Sequence, residues 1–344
     1  MSISLSYYPF QLQFKHPFTV SGNSRTYTPI IIIQLEFEGV TGYGECTMPP
    51  YLGESQETVI NFLNGIDLKQ FDSPFEIDSL LHYIDELQEG KNAAKAGFDI
   101  ALHDLICKLK ATTVANYYNT YRSDKQSSYT IGIDTPAKMV EKTIEAMELG
   151  FEVLKVKLGS DNDQEIMKRI LEVWNGPFSI DANQGWKDKE QALDFVHFLK
   201  EAGASFIEQP FSKDNLSLSA WLTERSPLPI IADESCKRLI DIDRIASSFH
   251  GINVKLMKST GLREAYHMIG EARKRKMKVV TGCMAESSCA VTAMANFASL
   301  ADWVDLDGPF LITNDPFVGV QLVDGKLILP KLNGIGAERN RYFQ

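Results

Sequence analysis

The 344-residue chain is predicted to be an α/β protein, a (β/α)7β, TIM-like barrel carrying an α+β capping domain. Three observations predict it. From residue 128 onward, short apolar strands alternate with amphipathic helices about every 25 residues. Eight strand candidates occur in that stretch. The charged residues there gather at the carboxyl ends of the strands, where barrels keep their chemistry. An open doubly wound sheet is the competing architecture, but no glycine-rich GxGxxG loop follows any strand. The length also exceeds the usual single-core domain, which calls for a second module.

In the first 125 residues, PIIIIQLEFEGVTGYGEC (29–46) combines a β-branched run with a glycine-marked turn, which predicts an antiparallel hairpin. KNAAKAGFDIALHDLICKLK (91–110) carries apolar residues at helical spacing. YRSDKQSS (121–128) reads as a polar linker, so a capping domain over 1–125 and a barrel over 126–324 are expected. The barrel strands are, in order, YTIGI, VLKVKL, FSIDAN, SFIEQP, PIIADES, GINVKL, KVVTGC and WVDLDG. Helices such as DNDQEIMKRILEVW, DKEQALDFVHFLKEAG and GLREAYHMIGEARKRK lie between them. The tail DGKLILPKLNGIGAE is too short for a domain of its own, and residues 325–344 are expected to return to the capping domain.

Composition narrows the function classes. The chain is 44% hydrophobic and 23% charged, as in ordinary soluble proteins, and no apolar run approaches the roughly 20 residues of a membrane span. The amino end lacks a basic stretch followed by an apolar one, so no secretory signal is expected and the cytoplasm is the expected location. Cys46, Cys107, Cys236, Cys283 and Cys289 form neither an even set nor a CxxC pair, which favours reduced thiols over a thiolate zinc site. A formal charge of −10 argues against a nucleic-acid partner. The expected partner is a small molecule, with association between copies of the chain left open.

The strand ends carry the chemistry. In VLKVKL, Lys155 and Lys157 share one face, opposite Leu154, Val156 and Leu158. Asp181 and Asn183 close the third strand, Glu208 the fourth, Asp233 and Glu234 the fifth and Lys255 the sixth. Glu286 lies just beyond the seventh, and Asp305 and Asp307 are on the eighth. Asp181, Glu208 and Asp233 come from three consecutive strands, and three carboxylates side by side in a partly dry mouth need a compensating cation. Oxygen ligands without a nearby His or Cys suit Mg²⁺ or Mn²⁺ rather than Zn²⁺. Any one of the three could instead cap its following helix; three at one register argue for the metal.

The lysines flank this trio on the second and sixth strands, nearly across the barrel from each other. A desolvated lysine can act as a general base. Two of them facing each other would remove a proton from one face of a carbon and return it to the other. Plain salt bridges to the carboxylates are the alternative, as is a Schiff-base lysine, although the latter has no need of three carboxylates.

KVK, DANQGW, IEQP, ADES and NVKLMKSTG, in that order and about one strand–helix unit apart, closely resemble the enolase superfamily and, within it, the muconate-lactonizing-enzyme subgroup. GYGEC and AGFDIALHDLICKLK are similar to that family's amino-terminal capping domain. The resemblance implies Asp181, Glu208 and Asp233 as Mg²⁺ ligands, Lys157 and Lys255 as the acid/base pair, and Lys155 as an auxiliary positive charge near the substrate carboxylate. Glu286, just beyond the seventh strand, is expected among the substrate-binding residues. The mandelate-racemase branch, which uses a histidine near the end of the seventh strand, is disfavoured because KVVTGCMAES has none. DLDGP resembles the Asp-x-Asp of the subgroup's dipeptide epimerases, implying that Asp305 and Asp307 hold a dipeptide ammonium. Arg25, in SGNSRTYT, resembles the capping-loop arginine that reads a substrate glutamate. The implied activity is Mg²⁺-dependent epimerisation of L-Ala-D/L-Glu through an enediolate, as in peptidoglycan recycling. N-succinylamino-acid racemase, o-succinylbenzoate synthase and a dipeptide epimerase with a different side-chain preference remain the alternatives.

Overall fold

The computed structural model describes residues 2–20, 23–48, 52–121, 125–160 and 162–342. The chain opens on a three-stranded antiparallel sheet of β1 (Ser4–Val20), β2 (Asn23–Phe37) and β3 (Val40–Thr47). The hairpin foreseen in residues 29–46 is β2–β3. It turns through Glu38 and Gly39, both at positive φ (51° and 76°), as a tight two-residue hairpin requires. β1, which the sequence reading left unassigned, pairs along most of β2.

Four helices follow: α1 (Gln56–Asn64), α2 (Ile77–Glu86), α3 (Asn92–Leu109) and α4 (Val114–Tyr117). α3 is buried on nearly every side because the sheet and the barrel both pack on it. Its approach to β3 is direct. A Cβ on Gly44 would stand 1.9 Å from the carbonyl oxygen of Gly97, so glycine is what lets backbone meet backbone there.

Eight parallel strands form the barrel: β4 (Ser128–Ile131), β5 (Val153–Lys157), β6 (Phe178–Asp181), β7 (Ala204–Glu208), β8 (Ile230–Ala232), β9 (Gly251–Val254), β10 (Lys278–Gly282) and β11 (Trp303–Asp305). The helices between them are α5 (Pro136–Glu148), α6 (Asp163–Leu171), α7 (Lys189–Glu201), α8 (Leu216–Arg225), α9 (Asp241–Ile245), α10 (Leu262–Lys274) and α11 (Ser288–Ala295). This is the (β/α)7β order.

The expected linker at 121–128 needs correction. Residues 122–124 lie outside the described residues, but Ser127 and Ser128 are part of the barrel seam. Ser127 bridges to Val304 and its Oγ accepts from the Leu306 amide at 2.8 Å, while Ser128 Oγ donates to Asp305 at 2.7 Å. Their polarity, which suggested a linker, closes the β4–β11 joint.

Inward-facing side chains alternate along the strands at period two. At the amino ends they are apolar: Phe206, Ile231 and Val280 pack with Trp303 as a plug. Two residues further along β7, β8 and β11, the same face presents Glu208, Asp233 and Asp305. The apolar plug thus sits beneath a charged mouth.

Past the barrel, β12 (Phe317–Val318) pairs with β15 (Glu338–Arg339), and β13 (Gln321–Val323) forms a hairpin with β14 (Lys326–Ile328). The tail then meets α3, where the Ile335 amide donates to Asp104 at 2.9 Å.

Candidate active site and metal cluster

The register of the barrel sets Lys157, Asp181 and Glu208 side by side on β5, β6 and β7, and Asp233 follows one residue past the end of β8. One carboxylate oxygen from each of Asp181, Glu208 and Asp233 lies within 4.8 Å of the others, and all three side chains are buried. The backbone just past β6 and β7 passes through the left-handed region at Asn183, Gln184 and Gln209 (φ 43°, 66° and 37°), a cost of order 1 kcal/mol each that is common where backbone aims functional groups. Gln209 repays it by bolting neighbouring loops: its Oε1 accepts from the amides of Asp233 (3.0 Å) and Ser235 (3.1 Å).

Lysines hold the carboxylates from both sides. Lys157 Nζ donates to Asp181 (2.8 Å) and Asn183 (3.1 Å), and Lys255 Nζ to Asp233 (2.7 Å). β5 and β9 are four places apart in the eight-strand order, so these two ammonium groups reach the cluster from opposite walls. Lys155, two residues earlier on β5, is buried, with its Nζ 2.7 Å from Asp305, 3.0 Å from Glu208 and 3.3 Å from Asp181. Burial alone would discharge it, but those carboxylates outweigh burial and hold its pKa well above the ordinary ammonium range. Its surroundings therefore favour the charged form of Lys155.

The carboxylates respond in opposite directions. Burial opposes the charge on Asp181, yet Lys157 and Lys155 bring it down to about 2. Burial pushes Glu208 up to about 8, helped by Asp181 and Asp233. Beside them Glu234, with a buried Oε2 that has no hydrogen-bond partner, is raised to about 7 by burial and then by Asp233 and Asp181. Asp233 is held well below the ordinary carboxylate range, Lys255 and Lys258 outweighing its burial. Three oxygen donors converging in a buried site, with an orphan carboxylate oxygen next to them, fit a hard divalent cation such as Mg²⁺.

Above the cluster is a cavity of about 200 Å³. Lys155, Lys157, Lys255, Asp233, Asp305 and Asp307 reach its wall from the barrel, and Phe18, Arg25 and Leu52 from the amino-terminal module. The far arm of the β1–β2 hairpin delivers Phe18 and Arg25. Past the register irregularity between Gln13 and Phe18 it stays paired, Phe18 opposite Arg25, and β1 is tied to the barrel rim through the Lys15 amide to Leu311 (2.9 Å) and the Ile133 amide to Thr19 (3.1 Å). Arg25 packs over the Phe14 ring and donates to Thr28 at 3.2 Å; the neighbouring Ser21 and Gly22 of its expected loop lie outside the described residues.

Three expectations change in detail. Asp307 is not on the eighth strand: β11 ends at Asp305, and Asp307 opens a 3₁₀ turn, where its Oδ2 accepts from the Thr130 amide at 2.6 Å. Asp305 and Asp307 both face the cavity, but Asp305 is already engaged by Lys155 and Ser128, which leaves Asp307 the more available anion. Glu286 is not on the cavity wall; its Oε1 accepts from its own loop at the Met284 amide (2.9 Å), and burial followed by Glu45 raises it to about 8.

Sequence reasoning missed Lys258 and Asn253. Lys258 Nζ donates to the Asp233 carboxylate and to its backbone oxygen (2.7 Å), and Asn253 Nδ2 donates to Glu208 at 2.9 Å. Asn253 shares period two with Lys255 and was findable. Lys258 was not, because strand alternation points it away and only the turn after β9 brings it back. Cys283 also lines the cavity, but burial, with Asp307 and Glu286 near it, holds its thiol well above the ordinary range, so it supplies no thiolate nucleophile.

Comparison with known proteins agrees with this geometry. Residues 5–117 match the model of the mandelate racemase/muconate lactonizing enzyme amino-terminal domain, and residues 138–342 the enolase C-terminal domain-like model. An L-Ala-D/L-Glu epimerase of Bacteroides thetaiotaomicron is 48% identical over 338 residues, spanning 97% of this chain and 87% of that one. Among solved structures, a dipeptide epimerase from Cytophaga hutchinsonii, complexed with Mg and D-Ala-L-Val, superposes with a TM-score of 0.92 at 29% identity, covering 100% of this chain and 98% of that one. An N-succinyl Arg/Lys racemase from Bacillus cereus superposes with the same TM-score at 26% identity, covering 100% and 97%. Fold alone therefore does not separate the two activities, whereas sequence identity favours the first.

Proposed function

The chain belongs to the mandelate racemase/muconate lactonizing enzyme group of the enolase superfamily, and from that premise we propose that it is a Mg²⁺-dependent dipeptide epimerase of the L-Ala-D/L-Glu type. The observation that carries this reading is the placement of Lys157 and Lys255 on opposite walls of a buried three-carboxylate cluster, beneath a cavity that also presents Asp307. Asp181, Glu208 and Asp233 would hold the metal, which when bound would supply Lewis-acid stabilisation of the negative charge that develops on the substrate.

The chain's own residues do the rest. One lysine, neutral, takes the α-proton: the C–H bond breaks and an N–H bond forms. The other, as ammonium, gives a proton to the opposite face, and the two have then exchanged protonation states for the reverse direction. Lys155, favoured as a cation, offsets the repulsion among the buried carboxylates. Asp307, with Asp305 behind it, receives the dipeptide ammonium, which N-acylated amino acids lack. Arg25, on the amino-terminal module, reads the side-chain carboxylate of the second residue. Glu286 supports its loop rather than the substrate.

In this reading residues 1–125 with 325–344 cap the site, residues 126–324 carry the chemistry, and the substrate comes from cell-wall peptides in the cytoplasm. No described helix is long and apolar enough to cross a membrane.

The test is turnover of L-Ala-L-Glu beside N-succinylglutamate, before and after chelation and with Mg²⁺ or Mn²⁺ restored. The dipeptide should be epimerised only with metal, and at least an order of magnitude faster than the acylated substrate. Full activity in demetallated protein, or preference for the acylated substrate, would overturn the reading.

A further inference from the structure

Resting on that two-lysine reading, we propose that Asp99, on the helix α3 that the sheet and barrel share, is a positioning residue for Lys255 but not for Lys157. Lys255 is not held in a strand. β9 ends at Val254, and residues 255–261 form a tight turn, with the Lys258 amide donating to the Lys255 carbonyl (3.0 Å) and the Gly261 amide to that of Leu256 (3.1 Å). Such a turn is fixed only as well as its two ends. The front end is the β9 ladder. The back end is the start of α10, whose N-cap, Gly261, has no side chain with which to satisfy the first amides.

Asp99 supplies that cap from outside. Its Oδ1 accepts from the Leu262 amide at 2.5 Å, and its Oδ2 faces the Arg263 amide at 3.4 Å. The fit is close: Gly261 has φ of 113°, and a Cβ there would stand 2.4 Å from the Asp99 side chain. His103, one turn along α3, aims the carboxylate, with its Nδ1 at 2.8 Å from the Asp99 carbonyl and 3.3 Å from Oδ1.

A second bond acts in the same direction. Asn92, also on α3, donates from Nδ2 to the Lys258 carbonyl at 2.8 Å, and Lys258 in turn grips Asp233. α3 thus holds the Lys255 turn at its middle and at its end. Lys157 is fixed differently. It is the last residue of β5, paired in register with Asp181, and the loop beyond it is gathered by Asp163 of the same βα unit, which accepts from the Gly159 amide at 2.9 Å. The capping helix therefore controls one of the two bases.

The asymmetry gives a readout that simple destabilisation cannot imitate. Deuterium incorporation at the α-carbon is measured in D₂O for L-Ala-L-Glu and L-Ala-D-Glu separately, with Lys157→Ala and Lys255→Ala proteins identifying which epimer each lysine addresses. In Asp99→Ala, exchange of the Lys255 epimer should fall about tenfold relative to that of the Lys157 epimer, within the hundredfold that a misplacement of about 1 Å can cost. Asp99→Asn should restore the ratio to within about twofold, because Asn caps a helix as well as Asp. Asn92→Ala, a milder lesion suited to the case in which Asp99→Ala does not fold, should move the ratio in the same direction. Asp104→Ala, which disturbs the tail side of α3, should lower the melting temperature and leave the ratio unchanged.

If the two lysine references exchange the same epimer, the two-base reading fails and takes this inference with it. If they behave as expected while Asp99 and Asn92 variants slow both epimers equally, the inference alone is overturned.

Discussion

Asp307 illustrates how one side chain's surroundings set a measurable property. Burial raises its carboxyl to about 6, and the charge of Asp305 adds to this against the hydrogen bond from Thr130. Only the ionised form can pair with a dipeptide ammonium. The kcat/KM for L-Ala-L-Glu should therefore fall as pH drops through about 6, and a pH series on Asp307→Asn should lack that limb while showing a loss of an order of magnitude or more at neutral pH. A similar loss on N-acylated amino acids would remove Asp307 from ammonium recognition. Arg25→Ala should act on a different axis, lowering kcat/KM for L-Ala-L-Glu while sparing dipeptides with an apolar second residue. Equal losses for both would make Arg25 a cavity-shaping residue only.

The secondary-structure units differ in how far sequence revealed them. The βα alternation and the GxGEC hairpin were legible because period-two and helical patterns are local. β1 was not: its far arm runs past β3, still paired with β2, onto the barrel rim, a placement fixed by contacts with Leu311 and Ile133 rather than by its own pattern. Strand alternation extends β11 two residues too far, to Asp307, and the polarity of Ser127 and Ser128 reads as a linker because a buried hydroxyl paired across a seam looks, in sequence, like a solvated one. The close contact of α3 with β3 is directly testable. Gly44→Ala would drive a Cβ into the Gly97 carbonyl oxygen, and overpacking of this kind costs about 3 kcal/mol. A denaturant midpoint equal to that of the unmodified protein would contradict the approach.

Across the molecule, charge is arranged in depth: an apolar plug, a carboxylate cluster with a buried cation beside it, then a cavity roofed by the amino-terminal hairpin. That Asp181, Glu208, Asp233, Lys157 and Lys255 converge was legible because each lies at or just past the end of an apolar strand, where solvation cannot explain it. Lys258, Asn92 and Asp99 were not, since they act through turns and across modules. A metal that binds only the folded cluster should stabilise the whole protein, by about 2.7 kcal/mol at a hundredfold excess over its Kd. Thermal melts should rise with Mg²⁺ in the unmodified protein and stay flat in Asp233→Asn; a Mg²⁺-dependent rise in that variant would move the metal elsewhere.

The most direct measurement of the central claim is the stereochemical course of α-hydrogen exchange in D₂O, followed by NMR with Mg²⁺ present, for Lys157→Ala and Lys255→Ala proteins. If the two lysines face opposite sides of the α-carbon, neither variant should epimerise L-Ala-L-Glu, and each should exchange deuterium into one epimer only, the two variants choosing opposite epimers. Exchange of the same epimer by both, or epimerisation near the unmodified rate by either, would contradict the account.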